Sequence, residues 1–204
     1  MEHFYSKLEG WAGGIDGFYA TVLQSIPTPS LQINPATSKI EMQNSRQYHF
    51  VEVGSWKGMS AAFLAVEIIN SGKNIKFDCV DTWRGSAEHQ TMESVINDTL
   101  YDEFINNMKP VEGYYNAIRM PSVAAAKTYQ DASLDLVFID AGHEYENVKA
   151  DILAWMPKVR PGGIIAGHDY VPGYMQHVYG AVVETVPDHK TIDTGCVIWY
   201  KEVQ

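Results

Sequence analysis

Residues 134–169 read LDLVFIDAGHEYENVKADILAWMPKVRPGGIIAGHD, and this stretch predicts a strand, a helix and a second strand in succession. Leu134–Ile139 is apolar except at Asp135 and leads into Asp140, which is typical of a parallel strand covered on both faces. Residues 146–159 then carry apolar side chains at helical spacing, and a Pro-Gly-Gly sequence ends the helix. Residues 163–166 form the second strand. A strand, a helix and a strand in this order indicate a right-handed crossover within a parallel sheet.

The same alternation continues on both sides of this stretch. Strands are predicted at residues 49–53, 75–80, 114–120 and 194–201, and helices at residues 59–70, 91–108, 122–129 and 174–186. The strand segments are short and apolar, whereas the helical segments carry apolar residues at intervals of three and four. This alternation predicts an α/β fold, in which a doubly wound, mostly parallel sheet has helices on both faces.

Residues 1–47 differ in amino-acid composition from the rest of the chain. Glycines interrupt an aromatic-rich stretch there, and three prolines then favour extended backbone. The aromatic residues of the first 25 positions are Phe4, Tyr5, Trp11, Phe18 and Tyr19. We interpret residues 1–47 as a helical appendage, with a helix at residues 16–25, that forms a lid over the sheet edge. Residues 48–204 then form the main domain, and the aromatic content of the appendage predicts a homodimer.

Composition excludes several classes of protein. The chain has 204 residues, of which 46% are apolar, so it can bury a sizeable core and disorder is not expected. Its 15 basic and 25 acidic side chains give a formal charge of −10, which argues against a nucleic-acid partner because phosphate binding needs a basic face. Two cysteines cannot supply a disulfide framework. No signal peptide is visible and no apolar run approaches the ~18 residues that cross a bilayer, so we expect a cytoplasmic protein without membrane contact.

Ligands of a doubly wound sheet bind beyond the carboxyl ends of its strands. Residues 52–58 read EVGSWKG and connect a predicted strand to a predicted helix. Gly54 permits a tight turn, Gly58 permits close packing, and the amides at the helix start can face a carboxylate or phosphate. The sequence therefore predicts a ligand-binding turn that includes Glu52 and Ser55, although an ordinary strand–helix turn has the same pattern.

Asp81-Thr82-Trp83 follows the next predicted strand. A carboxylate at this position can accept hydrogen bonds from both hydroxyls of a ribose. The alternative is that Asp81 or Thr82 caps the following helix, since both residue types are good caps. Trp83 provides an apolar wall for an adenine or a substrate in the first interpretation, and is a core residue in the second.

Two carboxylates and two imidazoles follow the strands predicted at residues 134–139 and 163–166. They are Asp140, His143, His168 and Asp169. Carboxylate oxygens at such an edge suit a hard divalent cation, and a neighbouring histidine can act as a general base because its pKa is near neutrality. The alternative is structural: Asp140 caps the following helix and His168 is a hydrogen-bonded core histidine.

Three segments together resemble the class I S-adenosylmethionine-dependent methyltransferases. They are residues 49–65 (HFVEVGSWKGMSAAFLA), 79–89 (CVDTWRGSAEH) and 135–170 (DLVFIDAGHEYENVKADILAWMPKVRPGGIIAGHDY). The sequence is similar to the small O-methyltransferases of the catechol and macrolide-sugar (macrocin-like) type. This resemblance implies a seven-stranded Rossmann-like sheet across residues 48–201.

The resemblance also implies a role for each matching residue. Glu52, Gly54, Ser55 and Gly58 correspond to the motif that wraps the methionine part of the cofactor. Asp81, with Thr82 and Trp83, corresponds to the segment that binds the cofactor ribose. Asp140 corresponds to the carboxylate near the transferred methyl group and, with Asp169, to the metal ligands of metal-dependent members, and we include His168 as a candidate third ligand. His143 corresponds to a general base. His168 and Tyr170 flank Asp169 where metal-dependent members often carry an acidic or amide residue, so a Mg²⁺ or Mn²⁺ requirement is an open alternative.

These residues predict an S-adenosylmethionine-dependent O-methyltransferase that acts on a small hydroxylated acceptor. Three alternatives remain open at this point. A catalytically silent cofactor-binding module would keep the same fold. A nicotinamide-dependent oxidoreductase needs Gly-x-Gly-x-x-Gly, whereas Trp56 occupies the position of the second glycine. A metal oxygenase would use His143, His168 and a carboxylate as its ligands.

Overall fold

The computed structural model describes residues 1–10 and 12–204. The strands are β1 (Ser30–Ile33), β2 (Ile40–Gln43), β3 (Tyr48–Val53), β4 (Ile75–Asp81), β5 (Asn116–Arg119), β6 (Leu134–Ile139), β7 (Val159–Gly167), β8 (Lys190–Asp193) and β9 (Val197–Glu202). The helices are α1 (Ile15–Ser25), α2 (Met59–Ser71), α3 (Glu93–Ile96), α4 (Leu100–Met108), α5 (Ser122–Ala126), α6 (Tyr145–Trp155) and α7 (Gln176–Thr185). Among the described residues, no helix combines the length and the apolar character needed to cross a membrane.

Seven of these strands form the central sheet, in the order β5-β4-β3-β6-β7-β9-β8. Strands β3 to β7 pair in parallel, and β9 runs antiparallel to both β7 and β8. The doubly wound, mostly parallel, seven-stranded sheet predicted from the sequence is therefore confirmed. The order reverses between β3 and β6, and this switch point opens a crevice at the carboxyl ends of the two strands.

Each face of the sheet carries its own hydrophobic core. On one face Phe50 and Phe138 pack with α1, α2 and α4, and on the other Val51 and Val137 pack with α5, α6 and α7. Neighbouring residues of β3 and of β6 thus point to opposite faces, as the two-residue period of a strand requires. Both faces are covered, which explains why the six residues of β6 are all buried.

The structure corrects two of the predicted elements. The helix expected at residues 91–108 is interrupted between α3 and α4, where Asp98 has a left-handed φ of 53°. The final strand expected at residues 194–201 is preceded by a further strand, β8, and the two form the antiparallel edge of the sheet. Edge strands are exposed and partly polar, so their sequences give a weaker apolar signal than those of the buried central strands.

Helix α1 packs against the face of the sheet. Ile15, Phe18 and Tyr19 are buried, and both aromatic rings contact Phe138. Strands β1 and β2 form a separate hairpin with Leu31, Ile33, Ile40 and Met42 exposed. The division at residue 47 stays a prediction, as does the homodimer. Of the aromatic residues that suggested a dimer, Phe18 and Tyr19 are buried, Phe4 and Tyr5 are half-buried, and Trp11 lies outside the described residues.

Candidate functional site

A cavity of about 960 Å³ opens at the carboxyl edge of the sheet, beside the switch point. Its lining includes residues that follow β3, β4, β6 and β7, among them Gly54, Asp81, Asp140 and Asp169. The carboxyl ends of four strands therefore contribute to one cavity. Asp81, Asp140 and Asp169 thus line one cavity, whereas Glu52, expected beside them, is not among its lining residues.

Gly54 brings the turn after β3 into contact with the loop after β6. Its φ is +92°, and a Cβ atom at this position would lie 2.0 Å from the carbonyl oxygen of Asp140. The Gly54 amide donates to the carbonyl oxygen of Val80 at 2.8 Å, and the Asp140 amide donates to that of Val53 at 2.7 Å. Only glycine allows this approach, which places Asp140 directly beside the turn.

Ser55 and Gly58 complete the turn in different ways. The Ser55 hydroxyl is buried and has no hydrogen-bond partner within the described residues. Gly58 has a φ of +89°, and a Cβ atom there would lie 3.1 Å from Met108 and from Phe104 on α4. Gly58 therefore allows helix α2 to start close to α4, whereas Ser55 offers an unused polar group at the cavity wall.

Glu52 is fully buried and is not among the residues that line the cavity. The Tyr19 hydroxyl donates a hydrogen bond of 2.7 Å to its Oε2, while its Oε1 has no partner in the described part of the chain. Burial raises the pKa of Glu52 to about 7. The structure thus joins Glu52 to helix α1, and a contact of Glu52 with the cofactor stays a prediction.

Asp81 lies at the cavity wall with its carboxylate held by backbone amides. The amide of Trp56 donates to Oδ2 at 2.9 Å, and that of Trp83 donates to Oδ1 at 2.7 Å. Burial raises the pKa of Asp81 despite these bonds. Thr82 also lines the cavity. Asp81 therefore orders the two loops around it, and each carboxylate oxygen still has lone pairs that can accept a hydroxyl.

Trp83 contradicts its predicted role as a wall of the ligand site. Its side chain has no exposed surface, packs against Tyr101 and Phe104, and donates from Nε1 to the Trp56 carbonyl at 2.8 Å. Trp83 is a core residue because α4 covers it. The sequence alternative for this residue is the correct one.

Asp140, His143 and Asp169 form a cluster on one wall of the cavity. His143 lies 3.0 Å from Asp169, measured from Nε2 to Oδ2, and 3.0 Å from Glu88, measured from Nδ1 to Oε1. The hydrogen bond with Asp169 outweighs burial and raises the pKa of His143 to about 9. Burial acts to raise the pKa of Asp169, but hydrogen bonds from His143 and His168 hold it well below its ordinary range.

His168, a predicted metal ligand, lies beside both carboxylates but is not a member of the group Asp140, His143 and Asp169 whose ligand atoms lie within 4.8 Å of one another. Its Nδ1 lies 3.1 Å from Asp169 and 3.5 Å from Asp140, and its Nε2 lies 3.3 Å from the Gly13 carbonyl oxygen. Burial opposes the charged form, but the two carboxylates outweigh it and raise the pKa of His168 to about 12. In this metal-free state His168 is a positive partner of the two carboxylates, and its role as a metal ligand stays a prediction.

Three residues of the cluster could hold a cation. One ligand atom from each of Asp140, His143 and Asp169 lies within 4.8 Å of the other two. Two carboxylates with one imidazole suit Mn²⁺ and, with waters, Mg²⁺. The donor set therefore fits a divalent metal, with His143 in the place predicted for His168.

The same cavity fits the cofactor that the sequence resemblance implies. Gly54, Ser55 and Asp81 line the cavity, the Ser55 hydroxyl is buried without a hydrogen-bond partner in the described residues, and each Asp81 oxygen has an acceptor lone pair left. Trp56, Trp83 and Asp169 have left-handed backbone conformations, with φ values of 46°, 51° and 59°. Backbone strain in residues other than glycine concentrates at functional sites.

Sequence reasoning missed several residues of the cavity. Glu88 contacts His143, and the ring of His89 packs 4.3 Å from that of Trp56. Ser122 and Asp151 line the part of the cavity next to α5 and α6. These residues lie in a loop or inside a helix, away from strand ends. The apolar periodicity of the sequence gives no sign of these residues. The one available signal was for Asp151, which is an acidic residue on a helix face that the pattern predicts to be buried.

Comparison with known proteins gives a consistent picture. A family model described as "Methyltransferase domain" matches residues 51–170, which is more than half of the chain. The uncharacterized protein y4gI of Sinorhizobium fredii (strain NBRC 101917 / NGR234) is 29% identical over 126 residues. That alignment covers 61% of this chain and 13% of y4gI, so the chain spans a small part of this relative's length.

Solved structures of low sequence identity share the fold. The O-methyltransferase NovP superposes with a TM-score of 0.64 at 15% identity, covering 93% of this chain and 78% of NovP. CalS11, described as a TDP-rhamnose 3'-O-methyltransferase of calicheamicin biosynthesis, has a TM-score of 0.56 at 14% identity, covering 92% and 76%. A precorrin 8W decarboxylase of Methanobacterium thermoautotrophicum has a TM-score of 0.57 at 12% identity, covering 100% and 97%.

Proposed function

Because this chain belongs to the methyltransferase-domain family, we propose that it transfers a methyl group from S-adenosylmethionine to an oxygen of a small hydroxylated acceptor. The observation that carries the proposal is the position of the Asp140–His143–Asp169 cluster. It lies on the wall of the same cavity as the glycine turn and Asp81. A hydroxyl group bound at this cluster would therefore adjoin the cofactor site.

The cofactor would lie along the carboxyl edge of the sheet. S-adenosylmethionine supplies an activated methyl group, so the protein has to align donor and acceptor and to remove a proton. Asp81 would accept hydrogen bonds from the ribose hydroxyls. The turn at Gly54 and Ser55 would bind the methionine part, because both residues line the cavity and the Ser55 hydroxyl has no hydrogen-bond partner in the described part of the chain.

His143 would remove the proton from the acceptor hydroxyl. Asp169 accepts a hydrogen bond from its Nε2, which fixes the ring orientation. Its Nδ1 faces Glu88, whose side chain is 53% exposed and can be displaced by an acceptor. Because the pKa of His143 is raised to about 9, the neutral imidazole that presents a free Nδ1 lone pair to the hydroxyl forms as pH rises toward that value.

The negative charge of Asp140 and Asp169 can be balanced in two ways. Without a metal, the protonated rings of His143 and His168 neutralise Asp140 and Asp169. A Mg²⁺ or Mn²⁺ ion held by Asp140, Asp169 and His143 would instead supply the positive charge and lower the pKa of the acceptor hydroxyl. His143 cannot bind the metal and the proton through the same nitrogen, so its Nε2 would face the metal and Nδ1 the acceptor.

Calorimetric titration tests the cofactor, and an assay of S-adenosylhomocysteine release tests the activity. We expect S-adenosylhomocysteine to bind and NAD not to bind. The acceptor panel should begin with sugar hydroxyls, because CalS11 is described as an enzyme that acts on TDP-rhamnose, and continue with catechols. Binding without turnover on any acceptor would favour the silent cofactor-binding module, and binding of NAD alone would overturn the proposal.

Metal dependence needs a separate measurement. The assay is repeated after EDTA treatment and again after Mg²⁺ or Mn²⁺ is restored. Activity that disappears with EDTA and returns with the ion supports metal assistance. Full activity in EDTA supports the base mechanism of His143 without a metal. The acidic chain is expected to have no nucleic-acid partner, and a homodimer stays a prediction that sedimentation can test.

A further inference from the structure

Strands β1 and β2 form a two-stranded hairpin that is separate from the central sheet. Leu31 pairs with Met42, and Ile33 pairs with Ile40. Because alternate residues of a strand point to the same side, these four side chains share one face of the hairpin. The other face carries polar side chains, which are those of Ser30, Gln32, Glu41 and Gln43. The hairpin therefore has one apolar face and one polar face.

The apolar face is open to solvent. Its four residues are between 59% and 70% exposed. Together they present an apolar patch on the order of 500 Å², which is as large as the largest patch of an ordinary monomer and is typical of an interaction surface. A two-stranded hairpin is at best marginally stable when nothing packs against its hydrophobic face. This surface is therefore expected to acquire a cover.

The backbone of the hairpin is ordered by the connection between its strands. The Asn34 amide donates to the Lys39 carbonyl oxygen at 2.9 Å, and the Asn34 carbonyl oxygen accepts from the Ser38 amide at 2.8 Å. The Asn34 side chain accepts from the Ala36 amide at 2.9 Å and donates to Glu41 at 2.9 Å. The apolar face is thus formed before any partner arrives, which lowers the entropy that binding has to overcome.

The base of the hairpin lies at the amino ends of the central strands. The Lys73 ammonium, in the loop that precedes β4, donates to the Ile26 carbonyl oxygen and lies 3.3 Å from the Thr28 hydroxyl oxygen. In the same loop, the Asn74 side chain donates to the Ser45 carbonyl oxygen at 3.0 Å. The cavity opens at the carboxyl edge of the sheet, so a molecule bound to the hairpin would lie away from it.

The charges of the chain favour a neutral contact here. Lys39 and Glu41 are the charged side chains of residues 28–45, and their charges cancel. Glu41 belongs to the polar face, so the apolar face has no charged side chain. The net charge of −10 therefore comes from the rest of the chain. Two copies of an acidic protein repel each other least through a neutral surface, whereas a basic partner would find no carboxylates on this face.

The apolar face also matches itself. Each strand contributes two apolar side chains, so a second copy related by a two-fold axis would present the same four residues in return. Two such faces in contact would bury about 1,000 Å² in total, which is the lower limit for a specific protein–protein interface. This area is sufficient for a reversible dimer.

We propose that the apolar face of the hairpin binds the same face of a second copy of this chain. The two hairpins would pack face to face at about 10 Å, with Leu31, Ile33, Ile40 and Met42 interdigitating. Since the buried area is small, we expect a dissociation constant on the order of 10 µM. The inference does not depend on the proposed methyl transfer, because the hairpin and the cavity lie at different ends of the strands.

Analytical ultracentrifugation of three proteins tests the proposal, from about 1 to 300 µM so that the expected constant is bracketed. The natural chain should change from monomer to dimer across this range. Ile33→Glu puts a carboxylate on the apolar face of both copies and should raise the dissociation constant at least about 100-fold. Gln32→Glu is the matched control: it adds the same charge to the polar face of the same strand and should stay within about threefold of the natural chain.

A second variant and a salt series separate the contact from an effect on the hairpin itself. Ile33→Thr keeps a β-branched residue that suits a strand but removes apolar surface, so it should weaken the dimer about tenfold. Added salt should tighten the natural dimer, because it screens the repulsion between two acidic copies and leaves an apolar contact intact. An interface held by ion pairs would weaken instead.

Several results would overturn the proposal. One is a natural chain that stays monomeric at the highest concentration. Another is a dimer that Ile33→Glu leaves intact, which would place the interface elsewhere. A third is equal dissociation by Ile33→Glu and Gln32→Glu, which would indicate general charge repulsion. Binding of a monomer to phosphatidylcholine vesicles that Ile33→Glu abolishes would assign the face to a lipid surface instead of a second copy.

Discussion

Buried carboxylates occur at both ends of the central strands, and their surroundings differ. Toward the amino ends, Asp78 accepts hydrogen bonds from His49 at 2.6 Å, Asn116 at 2.7 Å and Tyr129 at 2.9 Å. Asp135 nearby pairs with Arg160 and Arg46 and accepts a hydrogen bond from the His49 amide. Burial acts to raise the pKa of Asp78, but its three hydrogen-bond partners lower it.

At the carboxyl edge, burial has a larger effect on the pKa of two carboxylates than their hydrogen bonds have. Glu52 has one bonded oxygen and one without a partner, and Asp151 has a single hydroxyl, so burial raises their pKa values to about 7 and about 6. In the part of the chain that the structure describes, the ion-pair partners of Asp140 and Asp169 are all imidazoles, which can lose their protons.

This difference separates carboxylates that maintain the fold from those that are available to a ligand. A buried acid that is saturated by amide, phenol and guanidinium donors has nothing left to offer. A buried acid with spare acceptor sites beside a cavity costs stability until a ligand binds it. Four predictions test this comparison.

The largest effect should come from Gly54, where backbone contact holds the carboxyl edge together. Gly54→Ala places a Cβ atom 2.0 Å from the Asp140 carbonyl oxygen in a left-handed conformation. We expect a loss of about 4 kcal/mol in the free energy of unfolding, from overpacking and backbone strain together. Urea unfolding measures it. The matched variant Gly58→Ala meets flexible side chains and should lose less than half as much; equal losses would contradict this account.

Asp78→Ala should mainly affect stability. Its three partners would be left in a buried site without an acceptor, and we expect a loss of about 3 kcal/mol, or about 6–12 °C in Tm. Turnover per folded molecule should be unchanged. As a control, Asp131→Ala removes an exposed ion pair with Lys158 and should leave Tm almost unchanged. Loss of turnover without loss of stability in Asp78→Ala would reverse the assignment of the two ends.

Asp140→Asn should have the opposite profile. It keeps the side-chain shape but removes the charge beside the proposed methyl-transfer position, and we expect turnover to fall about 100-fold. The initial rate of S-adenosylhomocysteine release measures this effect, once an acceptor is known. Stability and binding of S-adenosylhomocysteine should change little. A variant that retains a third or more of the natural rate would exclude Asp140 from the reaction.

The smallest effect concerns pH and Glu52. Its folded pKa, about 7, is raised from an ordinary value of 4.5, so the folded protein binds more protons than the unfolded chain between these values. Stability should therefore decrease by about 2 kcal/mol as pH rises from 5 to 8, and Glu52→Gln should remove that decrease. Urea titrations across this range provide the measurement.

Asp78→Asn serves as the control with the opposite sign. Its folded pKa is lowered, so the natural chain loses the stability that Asp78 contributes when pH falls through that pKa. The variant should differ from the natural chain mainly above the ordinary pKa of an aspartate. A parallel pH response of Glu52→Gln and Asp78→Asn would show that the two ends do not differ.

Much of the fold follows from local patterns. The predicted boundaries of Leu134–Ile139 agree with the observed ones, because a strand buried on both faces is almost entirely apolar, here except at Asp135. The break at Asp98 and the strand β8 were not predicted, because neither of them produces an apolar run in the sequence. A left-handed residue that divides a helix leaves the apolar periodicity almost unchanged, and so does an edge strand whose single apolar residue, Ile192, is only partly buried.

The sequence by itself determined the alternation of strands and helices, and with it the convergence of Gly54, Asp81, Asp140 and Asp169 on one edge, because parallel strands bring their carboxyl ends together. Tertiary structure alone decided what each side chain meets there. Helix α4 covers Trp83, and His168 pairs with the carboxylates of Asp140 and Asp169. Asp151 lies between α5 and α6. Periodicity reports which face of an element is covered, whereas hydrogen-bond partners come from elements distant in sequence.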